Sequence, residues 1–406
     1  MRILSINIYF GEGSTGKILE DIHSRLERDA HESYIVYGLG TKRPSQFGKF
    51  YKTTSDFLAQ QYRRIARLDG LKYNTAFFET KRLIKHIQQI NPDIVHLHCL
   101  NCGYIEPYLL LRWLGKHNYK VLVTHHADVT ITANCEHAFD CQLWKTGCKF
   151  NCANLKKEDS YKFFTLSGLS WKQMFNAFNK IHNLYATGVS EWMADRVKQS
   201  PFFHNRECRV IENGLDTSTF HFDPKNINII IEDVHKTNRK VVLHVTPSLK
   251  QSIKGGKFVF ELARRLENVV FIIVGTRDEK ISNIPYNIIL IPHTDSKKEL
   301  ASYYQASDVT LLTSKKESFS MVTAESQCCG TPVVGFKAGA PETIAIQEYS
   351  EFVDYGDINT LEKTIKKWLS RRINKEDLSS QAILKFDAEI MYQKYLSFYN
   401  HILGNN

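Results

Sequence analysis

The chain has 406 residues, 43% of them hydrophobic and 24% charged, which is the composition of a folded protein with room for two domains. No apolar run approaches the roughly 18 residues that a bilayer-spanning helix needs, and the first residues do not have the form of a signal peptide, so we expect a cytoplasmic protein. The formal net charge of +10 favours anionic partners, namely nucleotides, lipid diphosphates, an anionic membrane face or nucleic acid, and does not choose among them.

A buried strand is predicted at residues 3–8, followed by GEGSTGK at 11–17 and an amphipathic helix. A strand, a glycine-rich turn and a helix start form the phosphate-binding arrangement of doubly wound folds. The same turn fits G-x-x-x-x-G-K, the pattern of a P-loop, although Ile18 stands where the magnesium-binding hydroxyl belongs. A P-loop nucleotide hydrolase is therefore kept as an alternative.

Further strands are predicted at 34–38, 94–98 and 121–126. Between the first two, residues 52–90 have a helical pattern in which aromatic residues alternate with Arg63, Arg64, Arg67, Lys81, Arg82 and Lys85. Such a mixture can bind a membrane face or a lipid diphosphate, and a solvated helix face is the simpler interpretation. His126 ends a strand, where open α/β sheets place ligand-binding groups.

Four of the nine cysteines, Cys135, Cys141, Cys148 and Cys152, lie close together in the sequence. In a reducing compartment such clustering favours metal binding over disulfides, and four thiolates would form a closed, structural zinc site. The spacing is looser than that of paired C-x2-C ligands, so a loop of reduced thiols explains the pattern equally well.

A polar stretch at 216–239, which follows predicted strands at 184–190 and 210–214, is interpreted as an interdomain linker. A second alternation of strands and helices follows, with strands at 241–246, 269–275, 288–292 and 309–313 and a helix at 300–308. The predicted domains are 1–216 and 217–385, and the chain closes with an amphipathic helix within 386–403.

The most informative stretch is 314–336. A strand pattern enters it and another leaves it, and residues 321–329 between them have helical spacing. Glu325 shares an otherwise apolar helix face, where a carboxylate needs partners, and a capped structural Glu is one interpretation. Glu317 stands in the loop before the helix. Two acids can accept hydrogen bonds from a polyol, and the helix start between them can bind an anion, which together describe a nucleotide sugar.

The sequence ESFSMVTAE at 317–325, followed by CGTPVV at 329–334, resembles the E-x7-E signature of family 4 retaining glycosyltransferases. The resemblance implies an α/β GT-B fold, in which two Rossmann-like domains face each other across a cleft and the last helix crosses back onto the first domain. Residues 124–135 resemble the T-x-H-D…C block of exopolysaccharide glycosyltransferases, with Ala127 replacing the family's Asp. The loop at 141–152 resembles that of colanic-acid and capsule-type relatives.

By this resemblance, the protein moves a sugar with retention from a nucleotide-sugar donor, UDP by family frequency, to a saccharide or lipid-linked acceptor in surface polysaccharide synthesis. Glu317 would hold sugar hydroxyls, Glu325 the ribose, and His126 would lie near the sugar. The remaining donor-binding residues expected are Gly13, Ser14, Lys254, Phe319, Ser320, Met321 and Val322. Lys254 supplies a cation to the diphosphate, and the backbone N–H groups of residues 319–322 bind it.

The sequence contains no D-x-D motif, so catalysis is expected to need no metal or other cofactor, zinc being structural if present. Peripheral contact with the inner membrane face is expected, and nucleic acid is not expected as a partner. A non-catalytic zinc or nucleic-acid-binding protein is the second alternative. Neither alternative explains the paired acids of the second domain.

Overall fold

The computed structural model describes residues 1–41, 48–158, 164–226, 228–276, 281–294 and 296–404. The chain divides into two compact units. The first comprises Met1–Glu212 together with Tyr392–Asn406, and the second comprises Asn213–Met391. The described helices include none that is long and apolar enough to cross a membrane.

The first unit is a parallel sheet of seven strands in the order β3-β2-β1-β4-β5-β6-β7. Its strands are β1 (Arg2–Asn7), β2 (Glu32–Tyr37), β3 (Phe50–Lys52), β4 (Ile94–Leu97), β5 (Val121–His125), β6 (Leu184–Gly188) and β7 (Cys208–Val210). Its helices before residue 213 are α1 (Gly13–Arg28), α2 (Asp56–Asp69), α3 (Phe77–Ile90), α4 (Pro107–Lys116), α5 (Val129–Thr132), α6 (Ala153–Glu158), α7 (Ser167–Phe178) and α8 (Glu191–Gln199). Parallel neighbours need crossover connections, which most of these helices provide.

The second unit is a parallel sheet of six strands in the order β10-β9-β8-β11-β12-β13. Its strands are β8 (Lys240–Val245), β9 (Val269–Thr276), β10 (Ile288–Pro292), β11 (Val309–Leu312), β12 (Val333–Phe336) and β13 (Ser350–Val353). The later helices are α9 (Ile229–Lys236), α10 (Gly256–Arg265), α11 (Lys297–Ala306), α12 (Met321–Cys328), α13 (Pro341–Ile344), α14 (Ile358–Ser370), α15 (Lys375–Phe386) and α16 (Ala388–Leu403). Apolar side chains of the central strands and of α10 and α14 form its core, among them Phe271, Leu311, Val334 and Trp368.

The last helix, α16, carries three buried tyrosines into the first unit. The hydroxyl of Tyr392 donates a hydrogen bond to Asp29 Oδ2 at 2.7 Å, and that of Tyr399 lies 2.7 Å from His96 Nδ1 in β4. The hydroxyl of Tyr395 lies 3.1 Å from the Thr124 hydroxyl in β5. Because buried polar groups need partners, the bonds to His96 and Thr124 hold α16 on the first sheet, and the bond to Asp29 holds it on the end of α1.

Two sequence predictions are wrong in detail. The strand predicted at 210–214 ends at Val210, because β7 begins earlier and pairs with β6 from Cys208. The polar stretch at 216–239 is not a plain linker, because it contains α9. Asn228 caps this helix by accepting a hydrogen bond from the Ile231 N–H at 3.2 Å, and Ile231 is fully buried.

Candidate functional site

Lys254 is positioned by a tight turn packed against the end of β11. The Thr313 hydroxyl donates a hydrogen bond to the Lys254 carbonyl at 2.8 Å, and the Lys315 N–H donates to the Ile253 carbonyl at 2.8 Å. Gly255 follows with φ of +69°, and a Cβ there would lie 2.2 Å from the Thr313 carbonyl oxygen. Only glycine fits this position, so the sequence Lys-Gly-Gly holds the lysine at the carboxyl end of the second sheet.

Glu317 meets Lys254 at this edge. The Lys254 ammonium donates a hydrogen bond to Glu317 Oε1 at 2.8 Å, and the two side chains are 28% and 19% exposed. Two hydrogen bonds to the loop after β12 fix the backbone of Glu317. The Glu317 N–H donates to the Ala338 carbonyl, and the Ala340 N–H donates to the Glu317 carbonyl. A carboxylate and an ammonium therefore stand together on a rigid backbone, each with part of its surface open to a ligand.

Glu325 is half-buried in α12, and its partner comes from another helix. The Tyr304 hydroxyl in α11 donates a hydrogen bond to Glu325 Oε2 at 3.0 Å. Burial, followed by the charge of Glu325, raises the pKa of Tyr304 well above its usual range, so this hydroxyl stays a donor. Met321, Cys328 and Cys329 are spaced to share the helix face of Glu325. Cys328 and Cys329 are fully buried, and the half-buried Met321 and Glu325 retain access to solvent.

A run of backbone N–H groups lies between the two acids. Within the described residues, no hydrogen bond is made by the N–H groups of Phe319, Ser320, Met321 or Val322. Ser320 has φ of +85°, which is costly for a residue other than glycine, and its hydroxyl accepts a hydrogen bond from the Thr323 N–H at the helix start. Free amides at the positive end of a helix form an anion-binding site.

His244, which the sequence analysis did not single out, lies in the carboxyl half of β8, in the same unit as Lys254. Its Nδ1 lies 2.9 Å from the Leu311 carbonyl oxygen, and its buried Nε2 has no hydrogen-bond partner in the described part of the chain. Burial, with a smaller contribution from the charge of Lys254, lowers the pKa of His244 to about 4. The neutral His244 imidazole therefore adds no second positive charge near the Lys254 ammonium, which is paired with Glu317.

In the first unit, Gly13 is the first residue of α1. Gly13 has φ of +64° with no atom within 4 Å of a built Cβ, and Ser14 is exposed beside it. The Gly11 N–H closes the turn on the Gly16 carbonyl at 2.9 Å. Ile18 is buried, so no hydroxyl stands where a P-loop would bind magnesium.

His126 follows β5 and contacts His98, a residue that the sequence analysis did not select. His98 Nδ1 lies 3.0 Å from His126 Nε2, and His98 is almost fully buried. Burial lowers the pKa of His126 to about 4, so both rings are neutral near pH 7. Asp128, the residue after Ala127, accepts two hydrogen bonds from Arg196 at 2.7 and 2.9 Å and one from the Ala138 N–H at 2.7 Å, so its carboxylate is occupied by contacts within the chain.

The four clustered cysteines are all reduced, with Cys135 buried and Cys141, Cys148 and Cys152 half-buried. Burial, with smaller contributions from Cys141 and Cys152, raises the pKa of Cys148 to about 12. No group of three or more His, Cys, Asp or Glu side chains within the described ranges is arranged to hold a metal ion. Structural zinc stays a prediction, which the zinc content of protein purified without chelators will test.

Two family models match the chain. The model described as Glycosyl transferases group 1 matches residues 226–385, and that described as Glycosyltransferase Family 4 matches residues 16–219, which is half of the chain. The chain belongs to glycosyltransferase family 4. This assignment confirms the resemblance inferred from 317–334 and favours a glycosyltransferase over both the P-loop nucleotide hydrolase and the non-catalytic binding protein.

Two similar proteins are also named as glycosyltransferases. The chain is 22% identical to WcaC of Escherichia coli (strain K12), named for a glycosyl transferase role in colanic acid biosynthesis, over 99% of this chain and 100% of the relative. It is 22% identical to the N,N'-diacetylbacillosaminyl-diphospho-undecaprenol alpha-1,3-N-acetylgalactosaminyltransferase of Campylobacter jejuni, over 53% of this chain and 60% of that one.

The fold is that of solved glycosyltransferase structures. The crystal structure of HepE from Anabaena in complex with UDP-glucose superposes with a TM-score of 0.63 at 14% identity, covering 99% of this chain and 100% of HepE. The predicted fold class, GT-B with two Rossmann-like units, is confirmed. The enzyme is a glycosyltransferase.

Proposed function

We propose that the enzyme is a retaining glycosyltransferase that moves a sugar from a UDP-sugar to a lipid-linked saccharide during surface polysaccharide assembly. The observation that carries the donor part is the free backbone N–H run at 319–322, flanked by Glu317 and Glu325. An anion-binding amide run between two carboxylates fits a diphosphate between a sugar and a ribose. The HepE complex with UDP-glucose supports a uridine nucleotide, and the name of the Campylobacter relative supports a diphosphate-linked acceptor.

The proposal gives roles to Glu317, Glu325 and Lys254 of the second unit and to its free backbone amides. Glu317 accepts hydrogen bonds from hydroxyls of the transferred sugar, and its orientation is held by Lys254. Glu325, held by Tyr304, accepts hydrogen bonds from the ribose hydroxyls. Lys254 and the amide run stabilise the negative charge that grows on the diphosphate as the sugar leaves. Preorganised donors of this kind supply several kcal/mol of transition-state stabilisation, so we propose catalysis without a metal ion.

The proposed first-unit residues act on the sugar and on the phosphates. His126 is neutral, because burial lowers its pKa, and therefore offers a hydrogen bond to the sugar without acting as a general acid near pH 7. His98 holds the orientation of the His126 ring through the contact between its Nδ1 and His126 Nε2. The turn at Gly13 and Ser14 offers the start of α1 to the phosphates. We assign no side chain as a nucleophile, and we propose that the enzyme works at the cytoplasmic face of the membrane.

The donor assignment is tested by thermal unfolding with UDP-, GDP-, ADP- and CDP-sugars in the presence of EDTA. A ligand at about 100 times its Kd stabilises the folded state by about 2.7 kcal/mol, which raises Tm by several degrees. We expect one nucleotide class to do so, and the shift to shrink in Glu325→Gln. The matched control is Glu376→Gln, an exposed acid in α15. Stabilisation only by ATP or GTP with magnesium would contradict the proposal.

Retention of configuration is tested on the product. The enzyme is incubated with the donor identified above and a diphosphate-linked saccharide, and the anomeric proton coupling of the new linkage is measured by NMR. We expect the configuration of the donor to be kept. Inversion would refute the retaining mechanism and leave the donor assignment intact.

A further inference from the structure

A cavity of about 190 Å³ lies in the first unit, between α2 and the loop that follows β4. Its lining contains the cations Arg63, Arg67 and Lys72 and a single acid, Glu136. Asn101 on the same wall donates a hydrogen bond to Glu136 Oε1 at 2.7 Å, which partly occupies that carboxylate. None of the roles proposed above uses this cavity. The side chains that line it carry a net positive charge, with three cations and one acid.

The cations are brought together by the way α2 begins and ends. Ser55 caps the helix by accepting a hydrogen bond from the Leu58 N–H, and Gly70 ends it with φ of +73°. The left-handed residue turns the chain back, so that Lys72 faces the cavity and donates a hydrogen bond to the Asn134 carbonyl at 2.5 Å.

The stem of Arg63 is also fixed. It packs on Gly103, where a built Cβ would lie 3.3 Å from Arg63 Cγ, and its guanidinium contacts the Cys102 thiol. A neighbouring space of about 300 Å³ is lined by Gln60, Arg63, Arg64 and Arg67, so two of the arginines border both spaces. The arginines therefore form a row along α2 that leads from the cavity to the helix surface.

In the described parts of the chain, no ion pair joins Arg63, Arg64 or Arg67 to a carboxylate. Neighbouring uncompensated guanidinium groups repel one another, and an anion bound among them relieves this repulsion and accepts charge-assisted hydrogen bonds. A volume below the roughly 300 Å³ of a typical ligand pocket suits a phosphate or diphosphate group.

Apolar side chains lie next to the arginines on the same helix. Phe57, Ile65 and Leu68 are 70%, 48% and 51% exposed. Phe57 and Leu68 are about three turns apart and so lie on the same side of α2. A ligand that carries an anionic head on an apolar chain would place its head in the cavity and lay its chain along these residues.

We propose that this cavity binds the diphosphate of an acceptor whose carrier is an apolar chain, with Arg63, Arg67 and Lys72 as the binding residues and Leu68 contacting the carrier. The inference rests on the proposed function, in which the acceptor is a lipid-linked saccharide, and it assigns the carrier linkage to a site. Glu136 and Asn101 then stand at the cavity wall where hydroxyls of the first sugar can bond to them.

The test is calorimetric titration of the full chain with inorganic pyrophosphate and with geranyl diphosphate below its micelle concentration. Saturating UDP is present so that the donor site cannot take up either probe. We expect both probes to bind, geranyl diphosphate more tightly, and Arg63→Gln and Arg67→Gln each to weaken both by roughly tenfold or more. Lys85→Gln, which removes the same charge from α3, should change the affinity less than twofold. Leu68→Ser should abolish only the advantage of geranyl diphosphate.

Three outcomes overturn the proposal. Pyrophosphate binding that survives both arginine variants, or that Lys85→Gln weakens equally, means general attraction to a basic protein. Absence of any advantage for geranyl diphosphate refutes an apolar carrier. Arginine-dependent binding to phosphatidylglycerol vesicles without pyrophosphate binding assigns the row to a membrane face instead. If UDP itself does not bind, that separate result counts against the donor assignment. The titration is then repeated with another nucleoside diphosphate occupying the donor site.

Discussion

Replacing Lys254 with Gln removes an ammonium that lies 2.8 Å from the Glu317 carboxylate. At the dielectric constant of water this pair attracts by about 1.5 kcal/mol, and the cost of ordering and desolvating two side chains reduces the contribution of such pairs to about 0.2–1 kcal/mol. Both side chains are partly exposed, at 28% and 19%, so the contribution of about 0.2–1 kcal/mol applies to this pair. We expect the free energy of unfolding to fall by no more than about 1 kcal/mol.

The effect on the reaction is expected to be much larger. If Lys254 stabilises the leaving diphosphate, its loss removes a charged hydrogen-bond donor from the transition state, which in other enzymes is worth about 2–4 kcal/mol. This corresponds to a fall in kcat/KM of about 30–1000-fold. A purely structural ion pair would lower stability and leave the activity of the folded fraction unchanged.

Three measurements separate these cases, namely urea unfolding, kcat/KM, and calorimetric binding of UDP compared with uridine. Lys254→Gln should weaken the binding of UDP and leave the binding of uridine unchanged, because uridine has no phosphate. Lys257→Gln, an exposed lysine in α10, is the matched control and should change neither ligand. An equal loss for both ligands, or a stability loss above about 2 kcal/mol with unchanged kcat/KM, would refute the assignment.

Three further predictions concern stability. Gly255→Ala puts a Cβ 2.2 Å from a carbonyl oxygen at positive φ and should cost about 2–4 kcal/mol in urea unfolding, whereas Gly356→Ala, also at positive φ but with open space around it, should cost about 1 kcal/mol. Burial raises the pKa of Glu106 to about 7 from 4.5, so the folded state binds this proton more tightly than the unfolded state does. The free energy of unfolding should therefore fall as the pH rises from about 4.5 to about 7. Glu106→Gln should flatten this dependence of stability on pH, and an unchanged dependence would contradict the raised pKa. Tyr399→Phe leaves His96 Nδ1 without its partner and should cost about 1–3 kcal/mol by the same assay, an effect below 0.5 kcal/mol being evidence against the buried bond.

Most of the fold could be predicted from the sequence, because buried parallel strands appear as short apolar runs between glycine and proline signals. The strand predicted at 288–292 is β10 with the same bounds, and the helix predicted at 321–329 is α12 with one residue fewer. The helix α9 was missed because its polar residues outweighed the signal of Asn228 before three isoleucines. That signal, an N-cap before apolar residues, was present in the sequence.

The partners of the site residues could not be predicted in the same way. Tyr304 reaches Glu325 from another helix, and nothing local to either residue indicates the contact. His98 is different, because β4 pairs in parallel with β5 in the register His96 to Leu122, which places the residues after β4 beside those after β5. Assuming that these two strands are neighbours would have brought His98 and His126 together from the sequence alone.

The tyrosines of α16 have a consequence for synthesis. The strands of the first sheet lie between residues 2 and 210. Tyr399 and Tyr395, which bond to His96 and Thr124 in that sheet, are translated only after the whole second unit. At about 5–20 residues per second, the ribosome exposes β4 and β5 for roughly 15–60 seconds before their last partners emerge. During that interval the nascent first unit has an unfilled apolar and polar face, and chaperone binding is expected there until α16 emerges from the ribosome.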